Sequence, residues 1–178
     1  LKSAGTANDI DVTKLAFTGE GGDAYTLTSN TNKVELSSGT GFSVTLGATD
    51  KSSVNTLLNK NGTSSAGATT YNLSAAEDWN AGADAAVTIA DLTGNGITVS
   101  NVPLPLITSS TYDAATGILV VTGSGLLKSA GTANDIDVTK LAFTGEGGDS
   151  FTLTTNTNKV EISSGTGFSV TLGATDKS

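Results

Sequence analysis

The side chains able to do chemistry in this sequence are mostly carboxylates and amides, and one passage concentrates them. ANDIDVTKLAFTGEGGD, at residues 7–23, carries Asn8, Asp9, Asp11, Glu20 and Asp23. The same letters return at 133–149, supplying Asn134, Asp135, Asp137, Glu146 and Asp149. Asn8-Asp9-x-Asp11 sets oxygen donors two residues apart, and Glu20-Gly-Gly-Asp23 adds two more across an intervening strand. A hard cation such as Ca²⁺ takes about six to eight oxygens from carboxylates, amides and carbonyls in a loose shell. Short glycine-containing loops can furnish such a set, so these ten residues are candidate calcium ligands. The spacing matches neither an EF-hand loop nor the Gly-Gly-x-Gly-x-Asp repeat of calcium-binding β-rolls. The competing reading is a solvated acidic turn in which Asp9 or Asp11 caps backbone amides. Glu77, Asp78, Asp84, Asp91 and Asp113 are further carboxylates that could complete a shell.

Other chemistries are excluded by what the chain lacks. It has no Cys, His or Met, and all nine basic residues are Lys. Thiolate and imidazole metal sites cannot form, and neither can Ser-His-Asp or Cys-His catalysis. The bidentate guanidinium fork is missing too. Glu77 and Asp78 are adjacent, which does not make them an acid–base pair across a cleft. Gly19-Glu-Gly-Gly and Gly94-Asn-Gly are turn glycines rather than phosphate loops. No enzyme is expected. A net charge of −8 argues against nucleic acid and anionic membrane surfaces as partners. No apolar run is long enough to span a bilayer. Trp79, the one tryptophan, reads as a core plug, with ligand stacking as the rival role.

The elements that must hold these residues read as β-structure. Thr, Ser, Gly, Asn and Asp dominate, the vocabulary of short strands and tight turns. Strands are expected within VTKLAFT (12–18), AYTLTS (24–29), KVELSS (33–38), FSVTLGA (42–48), TTYNLS (69–74), AAVTIADL (85–92) and GITVSNV (96–102). ITSSTY and GILVVTG flank Asp113-Ala-Ala-Thr-Gly117, a hairpin pattern with glycine where positive φ is wanted. Two short helical pieces interrupt the series. DKSSVNTLLNKNG (50–62) offers Asp50 as N-cap, and SAAEDWN (74–80) offers a Ser-x-x-Glu capping box. Strands at this spacing suggest an all-β sandwich with one or two short helical turns.

A repeat organises the whole. Residues 1–52 align with 127–178 at an offset of 126, and 48 of 52 positions are identical. The differences are Ala24/Ser150, Tyr25/Phe151, Ser29/Thr155 and Leu36/Ile162. A period of this length suits one β-domain rather than a solenoid repeat, and the expectation is a window on a tandem array. Pro103 and Pro105, the only prolines, favour a stiff extended connection and cannot sit in a central strand. The expected boundary is therefore there: residues 1–102 form a module lacking its first hairpin, and 103–178 begin the next copy. One period carries eleven acids and five lysines, net −6, so a string of modules would repel itself unless cations neutralised it.

TYDAATGILVVTGSGL (111–126), NDIDVTKLAFTGEGG (8–22) and DLTGNGITVSNV (91–102) together resemble the tandem β-domain repeats of very large secreted bacterial surface proteins. Those include repetitive adhesins and cell-surface filament or matrix proteins. The resemblance spans the chain and implies secretion to the cell surface, an immunoglobulin-like or related sandwich, and in many relatives calcium that rigidifies the string. It transfers no ligand position to this sequence. The leading expectation is a structural module of a stalk, fibre or coat whose partners are neighbouring copies of itself, joined by strand complementation. The rival is an adhesive module that binds glycans through Thr-rich strands.

Overall fold

A computed structural model describes residues 2–178, and the chain divides into two compact units, Leu1–Val102 and Pro103–Ser178. Both are β-rich, with antiparallel sheets and little helix.

In the first unit, Asp11 starts a single 3₁₀ turn, Val12–Lys14, by accepting hydrogen bonds from the Thr13 amide (3.1 Å) and hydroxyl (2.7 Å). This turn occupies the front of the expected strand, so β1 is only Leu15–Thr18. A second 3₁₀ turn, Glu20–Gly22, reverses the chain into β2, Ala24–Thr26. Gly21 there has φ 68°, a left-handed backbone that glycine adopts without Cβ strain. Helix α1, Ala48–Leu57, follows a long irregular stretch, and β3 is Asn72–Ala75. The sheet order is β2-β1-β3, with Phe17 opposite Tyr25 on one side and Leu73 on the other. Ile10, Val12, Leu15, Leu27, Val54 and Tyr71 are buried at its centre.

In the second unit, β4 (Leu106–Asp113) and β5 (Ile118–Ser124) form the expected hairpin. Asp113 closes its turn by accepting from the amides of Ala115 (2.8 Å) and Thr116 (3.3 Å), and Gly117 has φ 73°. The period-2 pattern is clear along β5: Leu119, Val121 and Gly123 point inward while Ile118, Val120, Thr122 and Ser124 face outward. The repeated acidic passage again gives two 3₁₀ turns around β6 (Ala142–Thr144), followed by β7 (Ser150–Thr152). Then come β8 (Gly167–Thr171) and a last helical turn, α2 (Ala174–Lys177). The sheets are β4-β5-β8 and β6-β7. Leu119, Val121, Val138, Leu153, Phe168 and Val170 are buried in this unit's core.

Six expectations need correction. Residues 33–38 and 96–102 form no strands, only isolated bridges at Val34, Gly96 and Val99. Asp50 is not an N-cap: Gly47 caps α1, and Asp50 lies inside the first turn with its carboxylate turned to the protein. Ser74 starts no helix, because it belongs to β3 and its hydroxyl donates to the Ala16 carbonyl at 3.3 Å. Residues 85–92 form no strand, only a bridge between Asp91 and Ala75. The Glu77 carboxylate takes the amides of Ile89 (3.1 Å) and Ala90 (3.2 Å), which a ladder would have needed. The expected strand at 42–48 does not form either, although residues 168–171, identical to 42–45, lie within β8.

Candidate functional site

The carboxylates of the repeated passage are held mainly by the chain's own donors. Asp9 is fully buried and accepts from the backbone amides of Ser3 and Leu36, the latter at 2.8 Å. These two N–H groups, Leu36 first, hold its carboxyl below the usual range by favouring the charged form. One side chain thus ties the chain start to the loop at residue 36. Asp135 repeats the hydrogen bonds with Ser129 (2.6 Å) and Ile162 (2.8 Å), but burial outweighs these donors there and raises its carboxyl.

Asp11 caps its 3₁₀ turn and also meets the Lys33 ammonium at 3.0 Å. Burial works against its charge, but the Thr13 hydroxyl and Lys33 outweigh it and the carboxyl titrates low. Asp137 does the same with Thr139, its lysine Lys159 lying at 3.8 Å. Asn8 donates to the Ala4 carbonyl at 2.8 Å, and Asn134 to Ala130 at 2.6 Å. Asp23 and Asp149 are exposed at the turn ends, where their carbonyls accept from Gly19 (2.9 Å) and Gly145 (2.8 Å).

Glu20 and Glu146 separate the two copies. Glu20 is buried and accepts from the Asn59 side chain (2.6 Å) and the Gly67 amide (2.9 Å), pinning the loop after α1. Glu146 is exposed. Among the described residues no three carboxylates gather at one point. The structure therefore spreads the ten candidate ligands over several small hydrogen-bonded sites.

Two features escaped sequence reasoning. The first is a buried cluster around Asp50, which accepts from the Thr31 hydroxyl (2.6 Å), the Tyr25 hydroxyl (2.8 Å) and both the hydroxyl (2.8 Å) and amide (3.1 Å) of Thr28. Burial pulls this carboxyl upward, but these donors outweigh it and leave it low. Asp176 repeats the cluster with Thr154 and Thr157. The Thr-x-x-Thr spacing before a later Asp was the available signal, hidden by the capping reading of Asp50.

The second feature is the surface around Phe42, where sequence-identical segments differ. Phe42 is 37% exposed, whereas Phe168, beside Val121 of β5, is 9% exposed. Val44 and Leu46 are half-buried, whereas Val170 and Leu172 are buried. A cavity of about 200 Å³ opens beside Phe42, lined by Ile10, Leu36, Gly41 and Trp79. Trp79 is partly buried, its ring centroid 6.1 Å from that of Phe42, with its indole N–H donating to the Ile89 carbonyl at 3.0 Å.

No helix among the described residues is long and apolar enough to cross a membrane. Comparison with known proteins returned no matching family model, no matching curated protein and no matching solved structure.

Proposed function

We propose that this chain is part of a structural repeat in an extracellular bacterial surface protein, where immunoglobulin-like β-sandwich modules in tandem build a stalk, fibre or coat. The observation that carries the reading is the near-identity of 52 residues at an offset of 126, together with the way the two copies differ in structure. The first unit joins its copy of the repeat to α1 and β3, and the second joins its copy to the β4–β5 hairpin. The two copies differ in burial accordingly. Leu15 is buried where Leu141 is only half-buried, and Phe168 is buried where Phe42 is exposed.

One period supplies every piece of a complete module: the hairpin with its third strand, the β2-β1-β3 sheet and the helix. Two three-stranded sheets with apolar inner faces can close into a sandwich. Near-identical modules suit a spacer, in which each copy repeats the same mechanical task. The carboxylates serve the fold as amide and hydroxyl acceptors, so a non-catalytic role accounts for them. Calcium stiffening of a string with net charge −6 per period belongs to the same proposal. So does chain-to-chain joining by strand complementation.

Small-angle scattering on chains of one, two and three periods tests the array. The expected result is a maximum dimension that grows in proportion to period number, with surface labelling of the source cells. A dimension that stays nearly constant overturns the proposal. Light scattering tests joining between chains: a strictly monomeric chain at high concentration removes that part.

A further inference from the structure

The identical segments 40–47 and 166–173 have one sequence and two environments, and the second environment shows what the first lacks. In the second unit, β8 lies antiparallel to β5, with Phe168 opposite Val121, Val170 opposite Leu119 and Thr171 opposite Ile118. The ladder is closed at its ends by the Leu172 amide donating to the Gly117 carbonyl (2.9 Å) and the Gly123 amide donating to the Thr166 carbonyl (2.8 Å). In the first unit the same residues belong to no strand, Phe42 is exposed, and the cavity beside it reaches Trp79.

We infer that residues 41–46 are a strand-acceptor site whose occupant is a second copy of the hairpin 106–124, docked with Val121 opposite Phe42 and Leu119 opposite Val44. The proposal rests on the repeat reading above and names the acceptor, the donor and the register within it.

Chemistry favours this occupant over an arbitrary strand. β5 presents Leu119 and Val121 on one face, which bury Phe168 and Val170 in the second unit. Phe42 and Val44 offer that face the same side chains in the same order. A one-residue slip would turn Phe42 and Val44 to the opposite face, so register is set by the apolar pattern. Gly41 matters through close approach rather than through φ. At the equivalent Gly167 an added Cβ would lie 2.7 Å from the Val121 carbonyl, so β5 can reach this segment only if position 41 has no side chain. Pairing would also give the Leu46 amide the acceptor that Gly117 provides to Leu172.

The test extends the full chain at its N-terminus with a second copy of residues 103–126. Because Leu127 corresponds to Leu1, the join reproduces the natural Leu126–Leu127 junction. Hydrogen exchange is followed across residues 42–46, with Trp79 emission as an independent reporter. The expected result is amide exchange slowed by at least about tenfold at these positions, and a blue shift of Trp79 as Phe42 is covered. A control carries Val121→Asp in the added copy only, leaving the native hairpin on β8 intact, and should show neither change. Unchanged exchange with the intact extension overturns the proposal. Equal protection with the V121D extension also overturns it, because β5 would not be the occupant. So does protection of 42–46 in the unextended dilute chain, which would need no second copy. None of these outcomes depends on array length: a failed scattering test leaves the acceptor standing, and a failed docking test leaves the array to its own measurement.

Discussion

The hydroxyl of Tyr25 donates to the buried carboxylate of Asp50 at 2.8 Å, while at the corresponding place in the second unit Phe151 leaves Asp176 with its threonine donors alone. The chain thus carries its own comparison of a cluster with and without one donor. Tyr25→Phe should cost at most about 1 kcal/mol, the net worth of one hydrogen bond. Asp50→Ala strands the buried Thr31 hydroxyl and the other donors, and should cost about 3 kcal/mol or more. Urea unfolding followed by Trp79 fluorescence reports on the first unit and separates the two variants.

Glu20 and Glu146 are identical in sequence context but not in structure. Glu20→Ala should destabilise the first unit by about 2 kcal/mol or more, since Asn59 and the Gly67 amide lose a charged acceptor. Glu146→Ala, at an exposed position, should change stability by less than about 0.5 kcal/mol. Gly19→Ala and Gly145→Ala should divide the same way. A Cβ at Gly19 would lie 2.5 Å from the Leu57 carbonyl, whereas at Gly145 the nearest atom is 4.0 Å away. Equal effects within either pair, by differential scanning calorimetry, would contradict the burial difference between the copies.

Acid should unfold the protein in a defined window. Asp9, Asp11, Asp50, Asp113, Asp137 and Asp176 are held below the ordinary carboxylate value, and only Asp135, raised by burial, works in the opposite sense. At Asp113 the Thr116 hydroxyl and then the Ala115 amide do this. Depressed folded values mean that their stabilisation is fully present above the unfolded value of about 3.9. It is lost as pH falls through the lower folded values. Urea midpoints should therefore stay level from about pH 7 to 5 and fall below about pH 4. A midpoint that rises on acidification would refute this assignment.

Calcium has a direct thermal test. A cation bound to the folded chain raises Tm by mass action, so melting in millimolar calcium should exceed melting in chelator. Coincident curves would remove calcium from the proposed function.

Much of the organisation was legible along the chain because it depends on local chemistry. The Asp113–Gly117 turn is specified by Asx bonding and one positive-φ glycine, and the alternation along β5 by a period of two. Asp11 capping the Thr13 amide is equally local. The buried roles of Asp50 and Glu20 were not legible, because their donors lie 19 to 47 residues away and only folding brings them near. The same applies to Glu77, whose grip on Ile89 and Ala90 undid an expected strand.

The segment GFSVTLG states the division most sharply. Its sequence by itself carries an alternating pattern with Phe, Val and Leu at every second position, and in the second copy that pattern becomes the buried face of β8. Whether it becomes a strand was decided only by tertiary structure: residues 167–171 pair with β5, and the same letters at 41–45 do not. The physical reason is that a strand is completed by partners outside itself. Its amides and carbonyls need a neighbouring backbone and its apolar face needs a covering layer, and no residue within the segment can provide either.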